Sequence, residues 1–85
     1  IVVDNGGRIA SGANEDFKAN IIIQESSTIR LTNSEINNSS GYGIVVGEDA
    51  AITDENNTEL LSEDALLDAG NTFEGNADGA VKFMP

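Results

Sequence analysis

The 85-residue sequence contains neither cysteine nor histidine. Without cysteine, the chain can form no disulfide bond, thiolate nucleophile or cysteine-ligated metal site. Without histidine, it lacks the commonest general base and the commonest metal ligand. These two absences exclude every catalytic or metal site that depends on a thiolate or an imidazole.

Aromatic residues and long apolar runs are also scarce. The chain has three Phe, one Tyr and no Trp, and 39% of its residues are hydrophobic. No apolar run is long enough to span a bilayer, and no signal-peptide pattern is visible, so we expect no insertion into a membrane. This composition makes a conventional two-layer core hard to build. Stacked repeats are easier, because each repeat buries only a few aliphatic residues against its neighbours.

Basic residues are few, whereas acidic residues are abundant. Fifteen Asp and Glu against four Lys and Arg give a net charge of −11. Such a chain repels nucleic-acid phosphates, so we expect no nucleic-acid partner. Acidic pairs such as Glu48-Asp49 and Glu63-Asp64 offer oxygen ligands for Ca²⁺. Because no EF-hand or nonapeptide calcium pattern is present, solvated turns are the preferred interpretation and no cofactor is predicted.

A repeat emerges from the distribution of β-branched residues. Nine-residue blocks that start at Ile1, Ile21 and Ile44 each contain three β-branched residues, five small or polar residues and an Ile. Spacings of 20 and 23 residues suit one coil of a parallel β-helix and do not suit helix-pair repeats. A weaker copy begins at Val81. We interpret residues 1–85 as an all-β solenoid, a parallel β-helix of about four coils that is part of a longer β-helix.

The segments between the blocks predict the rest of each coil. Apolar residues alternate up to Asn33 and again up to Asn71, which indicates a second strand followed by an Asn turn. Asn33 and Asn71 are therefore candidates for equivalent positions in a ladder of stacked Asn side chains. Residues 54–67 fit less well and predict either an irregular coil or a short helix capped by Ser62.

Alternation also predicts which side chains point inward and which point outward. The middle residues of the three triplets, Val2, Ile22 and Val45, should form an aliphatic stripe on the outer face. We hypothesise that another segment or subunit covers this possible interface, although single exposed aliphatic residues are common. The residues predicted to face the core are Ile1, Val3, Ile9, Ile21, Ile23, Ile29, Leu31, Ile36, Ile44, Val46, Ile52, Phe73, Val81 and Phe83.

Residues 29–46, which contain an Asn-Ser turn and a Ser-Ser-Gly-Tyr-Gly-Ile motif, resemble the repeat of right-handed parallel β-helix proteins. The likeness is greatest to secreted or lipoprotein-type β-helix proteins of bacterial surfaces, many of unknown function. Residues 71–81 look like the closing coils of such proteins. The resemblance implies a right-handed, single-stranded β-helix in a secreted or cell-surface protein. Its implied partners are the remainder of a longer β-helix polypeptide, another protein chain or a carbohydrate.

The same fold occurs in pectate lyases, polygalacturonases and epimerases, so it does not fix a function. Lyases of this fold hold Ca²⁺ with clustered Asp and use Arg or Lys as a base. Here no three Asp align, and the only basic residues are Arg8, Lys18, Arg30 and Lys82. No catalytic residue is therefore predicted, and Tyr42, the single Tyr, is the candidate for a ligand contact through sugar stacking. A turn residue that covers the coil edge is the alternative.

We expect a non-catalytic structural or binding module that contacts glycans or other proteins. The alternative is a C-terminal fragment of a polysaccharide-active lyase, hydrolase or epimerase whose catalytic coils lie outside this chain. Aligned rows of Asp and Arg on preceding coils would favour the enzyme.

Overall fold

The computed structural model describes residues 2–4, 9–10, 19–24 and 26–84, with side chains from residue 19 onward. The predicted inward position of Ile1 and the basic residues Arg8 and Lys18 lie outside the described residues, as do the side chains of Val3 and Ile9. The described residues form one helix, α1 (Glu63–Asp68), and nine short strands. The strands are β1 (Val2–Asp4), β2 (Ile9–Ala10), β3 (Ala19–Ile23), β4 (Thr28–Arg30), β5 (Glu35–Asn37), β6 (Tyr42–Val46), β7 (Ala51–Thr53), β8 (Thr72–Glu74) and β9 (Gly79–Phe83).

The strands belong to three small parallel sheets. Sheet A has the order β1-β5-β8, sheet B the order β2-β3-β6-β9, and sheet C contains β4 and β7. From β3 onward the chain visits sheets B, C, A, B and C, forms α1, and then visits A and B. Residues 33–47, here called the inner layer, are followed 37 positions later by the outer layer, residues 70–84. The chain is therefore mostly strand, with all strand pairs between these named strands parallel.

The strand register confirms part of the predicted repeat and corrects the rest. Ile21 pairs with Ile44, and Ile44 with Val81, as the second, third and weaker blocks predicted. The first block was aligned wrongly, because Val3 pairs with Ile36 in sheet A and Ile9 pairs with Ile21 in sheet B. β-branched triplets satisfy the requirements of any buried parallel strand, so the pattern alone does not say which sheet a triplet enters.

Aliphatic side chains from the three sheets meet in one core, whose members were mostly among the predicted inward residues. Phe83 is an exception: it lies beside Val46 but is 36% exposed, because β9 is at the edge of its sheet. Leu60 and Leu66 are buried although the strand pattern did not include them. The buried cluster consists of Ile21, Ile23, Leu31, Ile36, Ile44, Val46, Ile52, Leu60 and Leu66, with Ile29, Phe73 and Val81 packed against it.

The stretch 54–67 contains both of the features that its sequence left open. Ser62 caps α1, since its hydroxyl accepts a hydrogen bond from the Ala65 amide at 3.1 Å. Before the helix, the chain folds back beside β7, and Leu60 donates its amide hydrogen to the Ile52 carbonyl at 2.8 Å. An antiparallel bridge between Thr53 and Glu59 completes this contact. The segment therefore covers the free edge of β7.

Candidate functional site

The predicted aliphatic stripe does not exist as one line of residues. Val2 pairs with Glu35 in sheet A, whereas Ile22 and Val45 pair with each other in sheet B. Ile22 and Val45 are each 1% exposed and do not belong to the core cluster. The chain itself covers both side chains, so they present no free apolar surface to a partner. The Val2 side chain lies outside the described residues.

Tyr42 packs against its own sheet. A Cβ atom on Gly79 would lie 3.5 Å from Tyr42 Cε1, so the ring rests on the backbone of β9. Lys82 Nζ lies 5.7 Å from the centroid of the ring, within the range of a cation–π contact. These contacts fit a residue that covers the edge of the layer, and the proposed stacking of Tyr42 on a sugar stays a prediction.

The two layers are held together by hydrogen bonds from Asn side chains. Asn71, which is 1% exposed, accepts a hydrogen bond from the Ser34 amide at 3.1 Å. Its Nδ2 donates to the carbonyls of Leu31 and Leu66, at 3.0 Å each. This one side chain therefore joins the inner layer, the outer layer and the end of α1.

Asn76 repeats the arrangement five residues later. Its Oδ1 accepts from the Ser39 amide at 2.9 Å, and its Nδ2 donates to the Ile36 carbonyl at 2.9 Å. Asn71 and Asn76 thus hold the two ends of β8 against β5. Because the buried amide of Asn71 and the partly buried amide of Asn76 are both hydrogen-bonded to backbone, they fix the position of the outer layer without leaving these polar groups unsatisfied.

The predicted equivalence of Asn33 and Asn71 is wrong by one residue. Asn33 has φ 51° and stands opposite Gly70, which has φ 90°. A Cβ atom on Gly70 would collide with Asn33 Oδ1. Asn71 instead stands opposite Ser34. The left-handed turn position holds Asn in the inner layer and Gly in the outer layer, because both residue types tolerate positive φ.

The backbone of β8 has an unpaired side. Thr72 donates to the Ser34 carbonyl at 2.8 Å, and Asn38 donates to the Glu74 carbonyl at 2.8 Å, so residues 72 and 74 face β5. In a parallel pair, successive residues direct their amide and carbonyl groups to opposite sides of the strand. The amide and carbonyl of Phe73 consequently face away from β5. No described strand lies on that side of β8.

The same holds for β9. Met84 donates to the Val46 carbonyl at 2.8 Å, so alternation makes Lys82 face β6 as well. The amide and carbonyl groups of Val81 and Phe83 then point away from β6, where no described strand pairs with them. We call these outward-facing backbone groups of β8 and β9 the open edge.

A groove of about 350 Å³ lies beside the open edge. Leu67, Phe73 and Ala80 provide its apolar surface, and Glu63 and Glu74 provide carboxylates. Leu67 is 43% exposed although it is a large aliphatic residue. The lining of the groove thus combines apolar side chains with two acidic residues.

Negative charge is concentrated in the part of the chain from residue 54 onward. Residues 54–84 contain eight acidic residues and one basic residue, Lys82, whereas residues 26–53 contain three acidic residues and one basic residue, Arg30. Arg30 is already engaged, since its guanidinium donates to Asn57 Oδ1 at 2.9 Å. The part of the chain that carries the open edge is therefore strongly anionic.

A second groove, of about 280 Å³, lies between the loop after β7 and the end of α1. Asp54, Glu55 and Asp68 contribute to its walls. The Asp54 carboxylate is used internally, because its Oδ1 accepts from the amides of Asn56 and Thr58. Within the described residues, no group of three or more potential ligands is placed to hold a metal ion.

Sequence reasoning did not identify the open edge. The sequence does contain a signal for the stacking of β8 on β5. The dipeptides Asn33-Ser34 and Asn38-Ser39 are five residues apart, and the dipeptides Gly70-Asn71 and Gly75-Asn76 have the same separation. Each dipeptide places a left-handed turn residue before a polar residue that is buried or partly buried. Aligning the dipeptides would have given the correct offset of 37 residues and placed β8 on β5.

Relatives add nothing to this geometry. No protein-family model, curated protein or solved structure matches the chain. In the described part of the chain, no helix is both long enough and apolar enough to cross a membrane. Any statement about function therefore rests on the sheets, the Asn contacts and the open edge.

Proposed function

We propose that this chain is a segment of a right-handed parallel β-helix that acts as a non-catalytic binding module of a secreted or bacterial cell-surface protein. Its ligand is a strand-forming segment of another polypeptide, which pairs with the open edge. The repeated visits to sheets B, C and A, with each new strand parallel to the previous one in its sheet, support the β-helix. The resemblance of residues 29–46 to surface β-helix proteins supports the location.

The observation that carries the proposal is the pair of unpaired strand edges. Exposed edges with free amide and carbonyl groups are templates for strand addition. The open edge spans two sheets, and residues 75–78 connect them in the outer layer. A ligand that follows the same path would pair with β8, turn, and pair with β9.

The closed edge of β7 argues against a complete further coil. A complete coil would also add a strand to sheet C, where Leu60 already occupies the Ile52 carbonyl. A segment that pairs only with sheets A and B avoids this conflict. The proposed ligand is a two-strand segment, which we assign to another chain.

The test uses a synthetic peptide with the sequence of residues 70–84 in which Glu74→Gln and Asp78→Asn remove the acidic charges. Stacked in register, this neutral peptide presents strands of the same length and a turn of the same kind as the outer layer. We expect it to slow hydrogen exchange at the amides of Phe73, Val81 and Phe83, which NMR measures residue by residue. The Leu60 amide serves as the internal control, because it is hydrogen-bonded with or without peptide.

Two variants make the test specific for backbone pairing. Val81→Pro removes an amide that faces the open edge and leaves the hydrogen bonds to β6 in place. Val81→Thr keeps both the amide and a β-branched side chain. We expect binding to be lost in the first variant and retained in the second, provided that circular dichroism shows both to be folded. Equal binding by both folded variants, or no change in exchange with the wild-type chain, would contradict the proposal.

A further inference from the structure

We infer that the polypeptide received at the open edge is basic, with Lys or Arg side chains where it passes over Glu74 and Asp78. The inference rests on the proposed strand addition and names the chemistry of its ligand. Glu74 ends β8, Asp78 immediately precedes β9, and both side chains are exposed. In-register parallel strands lie about 4.8 Å apart, so side chains at these positions would stand directly over the two carboxylates.

Charge disfavours the most obvious alternative occupant, a second copy of this chain. In a folded copy, the side of β8 that a parallel neighbour would present is already paired with β5, and each molecule carries a net charge of −11, so two copies repel each other. Like charges placed directly opposite each other on adjacent strands are destabilising. The open edge therefore disfavours pairing with itself and favours a ligand of opposite charge.

The groove beside the open edge agrees with a basic ligand. Leu67, Phe73 and Ala80 form an apolar surface, and the carboxylates of Glu63 and Glu74 lie on the same groove. Lys and Arg side chains match such a surface, because their aliphatic stems pack on apolar groups while the charged end reaches an acid. Among the described residues, no Lys or Arg lines this groove.

The experiment compares three peptides with the sequence of residues 70–84. The acidic peptide keeps the native residues, the neutral peptide carries Glu74→Gln and Asp78→Asn, and the basic peptide carries Glu74→Lys and Asp78→Lys. We expect affinity, measured by titration calorimetry or fluorescence anisotropy, to rise from acidic to neutral to basic. Two exposed ion pairs should separate the basic from the neutral peptide by about fivefold. Raising the salt concentration should shrink this ratio.

Two matched double variants of the protein locate the effect. Glu74→Gln with Asp78→Asn should abolish the preference for the basic peptide. Glu48→Gln with Asp49→Asn removes the same charge from the turn between β6 and β7, and should leave most of the preference. A preference lost equally in both variants would overturn the assignment to Glu74 and Asp78.

The remaining outcomes separate the two proposals. Equal affinities of the three peptides, with Val81 protected from exchange in each complex, would refute the basic ligand and leave strand addition intact. No protection with any peptide would refute strand addition and the basic ligand together. Equal binding of a scrambled basic peptide would show charge adsorption without strand pairing, and would likewise overturn both.

Discussion

The strands β7, β8 and β9 each lie at an edge of their sheet, but in the described part of the chain their edges differ in whether another segment covers them. The edge of β7 is covered by the returning chain, where Leu60 donates to the Ile52 carbonyl and is itself only 6% exposed. No described residue pairs with the outward amides of β8 and β9. One edge is closed by backbone, and two remain available.

The difference shows that each strand edge in this protein is protected by its own means. Folded proteins commonly block exposed strands with loops, bulges or charges to prevent uncontrolled pairing. In sheet C, residues 54–60 form a loop that covers the edge strand. In sheets A and B, the edge strands are flanked by acidic residues of the outer layer. Charge, unlike a covering loop, is selective, because it repels acidic strands and attracts basic ones.

A second difference separates the inner from the outer layer, even where strands are in register. Ile44 in β6 is fully buried, whereas its partner Val81 in β9 is partly exposed. Both side chains are β-branched and both pack against the core. Burial is set by whether another strand lies beyond, so equivalent residues contribute unequally to stability.

The largest expected effect compares these two positions. Ile44→Ala should lower the free energy of unfolding by about 4 kcal/mol, because it leaves a cavity in a core that cannot collapse around it. Val81→Ala, which removes less volume at a partly exposed site, should cost about 1 kcal/mol. Urea unfolding followed by circular dichroism measures both.

Ile44→Val keeps the comparison measurable if the Ala variant does not fold, and should cost about 1 kcal/mol. Costs for Ile44→Ala and Val81→Ala that agree within error would mean that both layers are equally buried, which would remove the case for an open edge. Binding of the neutral peptide should raise the cost of Val81→Ala, since the peptide completes its burial.

How far the sequence could predict the fold depends on which residues are considered. The triplets at Ile21 and Ile44 pair as predicted, because runs of β-branched residues are typical of parallel strands buried on both faces, and the weaker copy at Val81 pairs with Ile44 although the spacings differ. The triplet at residues 1–3 was misplaced, since the same run suits any of the three sheets. A run of β-branched residues therefore predicts that a strand is buried, whereas the turns beside the run determine which sheet the strand joins.

The candidate site was less predictable for a physical reason. Whether Phe83 is buried depends on a strand that lies beyond β9, and no property of Phe83 itself carries that information. Asn71 was recognised as a ladder residue, but its partner is the backbone of Ser34 and not Asn33. Hydrogen bonds from side chain to backbone do not require a matching residue, so the sequence repeat does not reveal them.

The second prediction compares the two Asn contacts. Asn71→Ala should lower the free energy of unfolding by about 3 kcal/mol, because the buried Ser34 amide and the Leu31 carbonyl lose their partner. Asn76→Ala should cost about 1.5 kcal/mol, because Asn76 is only partly buried and water can replace it.

Thermal or urea unfolding gives both values, and Asn71→Asp provides a matched control. It preserves the acceptor for Ser34 but lacks the donor for Leu31 and buries a charge, so it should be no more stable than Asn71→Ala. Equal costs at Asn71 and Asn76 would indicate that the outer layer is held uniformly and that β8 is not anchored mainly at its start.

The smallest effect concerns the closed edge. Asp54 Oδ1 accepts from the amides of Asn56 at 2.8 Å and Thr58 at 2.9 Å, which bends the chain back toward β7. Asp54→Ala should therefore lower the free energy of unfolding by about 1 kcal/mol. It should also speed hydrogen exchange at the Leu60 amide, because the covering segment then opens more often without global unfolding.

Asp54→Asn keeps an acceptor oxygen and should recover most of the protection, while Glu55→Gln removes the same charge at an exposed position and should leave Leu60 unchanged. Accelerated exchange at Leu60 in all three variants would make net charge, and not the turn at Asp54, the cause of closure. With Asp54→Ala, exchange at Leu60 should move toward the rates at Val81 and Phe83. The contrast between the closed and open edges would then rest on one carboxylate that folds a seven-residue loop over a strand, a device that β8 and β9 lack among the described residues.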